Sequence, residues 1–140
     1  MKKEAILHIP LSQYAYAEDE HTLVIRLRTA KNDMAGCKLV YGDRVDQNKK
    51  IRLKRLDMRC IATDDLFDYY EAVIRDKYTR VCYYFELQDG LDAANCLYYC
   101  ERSITEKITD NRTEFFQFPY IRREDIIHIP DWEKYMVMYH

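Results

Sequence analysis

The chain lacks an apolar run of the length that a membrane helix needs, about 20 residues. Nor is a secretory leader expected. Met1-Lys2-Lys3 is basic, but the apolar residues behind it are broken by His8 and Pro10, and no small-residue cleavage site follows. A soluble, cytoplasmic protein is the expectation, with no membrane partner. An excess of one charge is missing too: 22 Lys and Arg face 24 Asp and Glu, for a net charge of −2. That balance gives no general attraction to nucleic acid. The one basic cluster is Lys49, Lys50, Arg52, Lys54 and Arg55, with Ile51 and Leu53 interleaved. It reads as an edge strand that cations protect from pairing with another sheet, in preference to an RNA-binding surface.

Metal and catalytic signatures are equally absent. The five cysteines, at positions 37, 60, 82, 96 and 100, are an odd number. Cys96 and Cys100 have no second pair at ligand spacing and no His nearby, so reduced packing thiols are expected rather than a zinc site. Asp64, Asp65 and Asp68 lack EF-hand spacing and a supporting Gly, which leaves an Asp-rich turn. The His residues at 8, 21, 128 and 140 are scattered, and no nucleophile partner is identifiable. No cofactor, metal or enzymatic activity within the chain is expected.

What the chain does have is β signal. One domain's worth of sequence, 140 residues, is long enough to bury a core. Its longest uninterrupted β stretch is residues 67–87, free of Gly and Pro. Val81, Tyr83, Phe85 and Leu87 alternate there with Cys82, Tyr84 and Glu86, placing the two sets on opposite faces of a strand. With the aromatic run before it and the Arg75-Asp76-Lys77 link, this predicts an antiparallel hairpin. Further strands are predicted over residues 4–10, ended by Pro10, around Leu23, Ile25 and Leu27, over 37–41, 51–58 and 115–118, and at Tyr98-Tyr99. Residues 12–17 are expected to pass over the surface. No amphipathic helix stands out before residue 120. Seven or eight short strands with regular turn signals predict an all-β, two-sheet antiparallel sandwich over residues 1–129. The tail, 130–140, opens with Pro130-Asp131-Trp132 and ends in the apolar run Met136-Val137-Met138-Tyr139. It reads as a linker and the first strand of a second domain.

Thirteen tyrosines make one binding chemistry worth weighing. Aromatic rings lie against the apolar faces of pyranoses, while amides and carboxylates bond the hydroxyls. Tyr14, Tyr16, Tyr41, Tyr84 and Trp132 are the candidates, and Tyr84 stands out because the alternation places it opposite the core set. Core or cross-strand packing is the commoner role of such rings.

The order of the pieces carries a resemblance. Glu4-Ala5-Ile6 with His8, Tyr14-Ala15-Tyr16, the run from Thr22 to Thr29, Lys31-Asn32-Asp33 and Gly42-Asp43-Arg44 come first. Phe67-Asp68-Tyr69-Tyr70, Arg80-Val81-Cys82-Tyr83, Phe116-Gln117-Phe118-Pro119 and Pro130-Asp131-Trp132 follow. In this the chain resembles, over its whole length, the N-terminal domain of the neopullulanase, cyclomaltodextrinase and maltogenic amylase group of the α-amylase family. That domain is also classed as carbohydrate-binding module family 34. The resemblance implies an immunoglobulin-like β-sandwich preceding a catalytic TIM barrel that cleaves α-glucans and cyclodextrins. The family's catalytic carboxylates lie in that barrel, so none is carried onto this chain. It further implies that the domain contacts its own barrel and a second subunit, with the Tyr14–Tyr16 stretch and the loop after Gly42-Asp43-Arg44 facing the neighbouring cleft. Where relatives often place an aromatic after Gly-Asp, this chain has Arg44, Val45 and Gln47. The expected carbohydrate-binding residues are therefore Tyr14, Tyr16, Tyr41, Asp43, Arg44 and Tyr84, with weak affinity for α-glucan or cyclodextrin. Two roles are in contention, an interaction module that joins subunits and shapes a cleft, and a glucan-binding module, stand-alone or accessory. An unrelated β-sandwich for protein interaction is the remaining alternative.

Overall fold

The computed structural model describes residues 1–19, 21–43, 53–75, 81–92, 94–101, 103–107 and 115–118. Ten strands run through them: β1 (Ala15–Asp19), β2 (Thr22–Ala30), β3 (Met34–Asp43), β4 (Lys54–Asp57), β5 (Arg59–Thr63), β6 (Phe67–Ile74), β7 (Val81–Asp89), β8 (Cys96–Tyr99), β9 (Ile104–Thr105) and β10 (Phe116–Phe118). They form two antiparallel sheets. The first has the order β1-β2-β6-β5; the second has β4-β3-β7-β8-β9, with β10 paired to the start of β7. This is the expected sandwich. No helix among the described residues is long and apolar enough to cross a membrane.

The core lies between the sheets and follows the period of two. Leu23, Ile25 and Leu27 of β2 and Ala72 and Ile74 of β6 meet Cys37, Leu39 and Tyr41 of β3 and Val81, Tyr83, Phe85 and Leu87 of β7. The four β7 side chains are the set that alternation assigned to the core. Fully burying one large apolar side chain stabilises by roughly 1.5–3 kcal/mol, so this double row accounts for much of the driving force.

The predicted hairpin over residues 67–87 does not form. β6 pairs with β2 (Leu23 opposite Ile74 through Ala30 opposite Phe67) and with β5, whereas β7 pairs with β3, β8 and β10 in the other sheet. Both runs carry an apolar stripe, and the stripes face each other across the core instead of lying side by side. The link also lacks the Asn-Gly or Gly residues that a tight hairpin turn requires.

Three local expectations are corrected as well. Residues 4–10 are not an edge strand. Lys3–Ala5 is a 3-10 turn, and only Leu7 bridges to β2, at Arg28. The turn consumes the backbone donors of Ala5 and Ile6, which bond to Lys2 and Lys3 carbonyls. Residues 12–17 do not pass over the surface: Ala15 and Ala17 belong to β1 and face the core, and Tyr14 and Tyr16 are buried too. Two alanines make too small an apolar stripe to stand out in the sequence. β5 was not foreseen either, because its exposed edge position leaves it little apolar alternation.

Candidate functional site

The four tyrosines among the expected sugar-contact residues do not share one face. Tyr14 lies outside the first sheet with Tyr69, flanked by Leu7, Ile61 and Phe67. Tyr16 is on β1, with the Arg26 guanidinium 5.1 Å from its ring centre, and burial pushes its phenol above the ordinary value. Arg26 is itself buried and pairs with Glu71 at 2.8 Å. Tyr41 faces inward on β3 and belongs to the central core. Tyr84 lies on the outer face of the second sheet, as alternation required. There it packs in a separate apolar cluster with Val40, Cys82, Cys100 and Phe115, the Phe115 ring 5.0 Å away. The exposures of these four tyrosines run from 2% to 7%, so none presents an open ring face. Asp43 ends β3. Arg44 and Trp132 lie outside the described residues, as do the tail 130–140 and most of the basic cluster. Of that cluster, Lys54 and Arg55 sit exposed on the edge strand β4.

The open feature is elsewhere. A groove of about 460 Å³ crosses the outer face of the second sheet beside Gly36, Lys38, Asp57, Glu86, Gln88 and Cys96. Register explains its make-up. Asp57 of β4, Lys38 of β3, Glu86 of β7 and Tyr98 of β8 are successive cross-strand partners and share one face. Gly36 opposite Gln88 leaves the notch: a Cβ at Gly36 would come to 3.7 Å from Gln88 Oε1. The charges are largely answered within the face. Lys38 Nζ is 3.9 Å from Asp57, Arg55 Nε is 3.6 Å from Glu86, and the Cys96 thiol donates weakly to Glu86 Oε1 at 3.8 Å. Such a face can offer carboxylate acceptors and an ammonium donor to a polyhydroxylated ligand, beside a half-buried ring at Tyr98. Reading the strands singly misses this row, because only the register places Tyr98 beside Glu86.

Among the described residues no group of three or more His, Cys, Asp or Glu could hold a metal ion. His8 is buried in the core, its ring against Phe85 and Phe116 with centres 4.8 Å away. Its Nδ1–H donates to the Arg26 carbonyl at 2.7 Å, since a carbonyl can only accept. That leaves Nε2 to accept from the Tyr83 hydroxyl, also at 2.7 Å. Burial pushes its pKa down to about 4, so it stays neutral and serves structure. The five cysteines are free thiols, with Cys37, Cys82 and Cys100 buried and Cys60 exposed.

Comparison with known proteins agrees with this architecture. Residues 1–122 match the family described as the alpha amylase, N-terminal ig-like domain. A cyclomaltodextrinase of Geobacillus thermopakistaniensis is 36% identical over 99% of this chain, and a maltogenic alpha-amylase of Bacillus acidopullulyticus is also 36% identical over 99% of it. The chain spans only 24% of the length of either relative. A solved cyclomaltodextrinase superposes on 94% of this chain with a TM-score of 0.81 and 30% identity, using 22% of its own length. Taken with the two-sheet sandwich and its inward stripes, these matches show that the chain belongs to the N-terminal immunoglobulin-like domain family of the α-amylases.

Proposed function

We propose that the chain is the non-catalytic N-terminal module of an amylase that hydrolyses α-glucans and cyclodextrins, and that it serves subunit association and the shaping of a neighbouring active cleft. The observation that carries this reading is the match of nearly the whole chain to a quarter of enzymes named cyclomaltodextrinase and maltogenic alpha-amylase. We place the domain boundary near residue 130 and the protein in the cytoplasm, the latter supported by five free thiols. The test exchanges the corresponding N-terminal part of the Geobacillus cyclomaltodextrinase for this chain. The chimera is expected to self-associate and degrade β-cyclodextrin, and the remainder without any N-terminal part to do neither well. Cyclodextrin hydrolysis by the 140-residue chain alone would overturn the reading.

Weak glucan contact is a second part of it. The polar row Lys38–Glu86–Tyr98 favours this, being open where Tyr14, Tyr16, Tyr41 and Tyr84 are covered. Asp43 and Arg44 enter this reading on the family resemblance alone. Calorimetry with β-cyclodextrin should give a Kd of roughly 0.1 mM or weaker, equivalent to about 5.5 kcal/mol or less. Tyr98→Ala should weaken it further, and micromolar affinity would place the site elsewhere.

A further inference from the structure

Gly36 stands inside β3, where a glycine weakens a strand and often marks the close approach of a ligand. Its backbone does not call for glycine. The β3–β7 register slips by one residue between Met34 and Gly36, yet no glycine among the described residues has a positive φ. Crowding does not call for it either. Among the described residues, and beyond its chain neighbours, a Cβ at Gly36 would have one heavy atom within 4 Å. That atom is Gln88 Oε1 at 3.7 Å, an ordinary van der Waals contact. Gly90 is the opposite case, since a Cβ there would fall 3.0 Å from the Asp33 carbonyl oxygen. The fold accounts for Gly90 and leaves Gly36 without a structural reason. What Gly36 keeps open is part of the groove of about 460 Å³, a volume within the range of small-molecule sites. The groove crosses four strands, from Met58 at the end of β4, through Gly36 and its register partner Gln88, to Cys96 on β8. With strands about 4.8 Å apart, that span is roughly 14 Å, the length of about three pyranose units in a row.

We propose, on the footing of the glucan contact inferred above, that Gly36 is the specificity-determining position of this face. Its missing side chain makes the seat for one unit of an open-chain α-glucan, which lies across β3, β7 and β8 against Lys38, Glu86 and Gln88. The charges of the face suit an uncharged ligand. Lys38 and Arg55 answer Asp57 and Glu86 at 3.9 and 3.6 Å, so an ion of either sign meets a like charge. Hydroxyl groups instead donate to the carboxylate lone pairs that such long ion pairs leave, and accept from the Lys38 ammonium. A closed cyclodextrin ring lays only an arc in a straight groove, which favours the open chain. Any side chain at position 36 stands where the sugar lies, at no cost to the fold.

The experiment titrates maltotriose into the 140-residue chain and into its Gly36→Ala and Gly36→Val variants, followed by amide NMR shifts. In the unaltered chain the shifts should fall on Gly36, Lys38, Gln88 and Cys96. Gly36→Ala should weaken binding roughly threefold and Gly36→Val at least about tenfold, and β-cyclodextrin should bind the unaltered chain more weakly than maltotriose. Both variants should melt at or above the unaltered chain, by up to roughly 4 °C, because glycine inside a strand costs stability. Lost affinity at equal or higher melting temperature is a result that a structural role for Gly36 does not give. If Gly36→Val binds maltotriose as the unaltered chain does while Tyr98→Ala weakens it, the glucan contact stands and the role of Gly36 is overturned. Melting several degrees lower in both variants would make glycine a requirement of the fold and overturn that role too. No shift with either sugar at roughly 10 mM would instead overturn the glucan contact itself, and the seat with it.

Discussion

His8 shows how much one polar side chain can do inside an apolar core. Both ring nitrogens are bonded, to the Arg26 carbonyl and the Tyr83 hydroxyl, and three elements meet at the ring. Its pKa falls from 6.5 to about 4 on folding, so the unfolded chain binds the proton more readily. Stability is then fully present above about pH 6.5 and is lost as pH falls toward 4. The loss at this one site reaches roughly 3 kcal/mol. Urea unfolding at pH 7 and pH 4.5 should show it, and His8→Gln should flatten that difference while lowering stability at pH 7. Tyr84 makes the complementary case. Alternation put it on the outer face, and a search for sugar-stacking rings would start there. Its 2% exposure against Phe115 makes it a packing residue in this chain. Tyr84→Ala should cost about 3–5 kcal/mol in urea unfolding. Tyr84→Phe keeps the ring and should cost under about 1.5 kcal/mol.

Among the strands, β7 has the most partners. It is bonded along its length to β3 on one side, and to β8 and β10 on the other. β1, β5 and β4 are edges, with one partner each. Native-state hydrogen exchange should therefore find the slowest amides in β3 and β7, approaching the global unfolding limit, and faster ones in β4 and β5. Protection of β5 equal to that of β7 would contradict the sheet order. The alternation of β2, β3 and β7 was legible because large side chains fill their inward positions. β1 was not, because Ala15 and Ala17 fill its inward positions while the large ring of Tyr16 points outward. Nor was the partner of β6 legible, since an apolar stripe announces that a strand is covered without naming the sheet that covers it.

The molecule as a whole closes three of its five thiols away from solvent. Burial also pushes the Cys37 thiol far above its ordinary value. A thiol reagent should thus modify Cys60 quickly in the native protein and Cys96 next. Cys37, Cys82 and Cys100 should follow only at the rate of global opening, and all five should react in urea without reductant. Rapid native labelling of Cys82 would mean that the outer cluster around Tyr84 is open. The all-β class, the inward stripes and the kinship to an amylase N-terminal domain could be read from the amino-acid sequence alone. Side-chain period and motif order are local properties, written along the chain. Which sheet each strand joins was decided only in three dimensions. So were the burial of the tyrosines and the polar row from Asp57 to Tyr98. Each depends on contacts between residues far apart in the chain, whose energies a one-dimensional pattern does not contain.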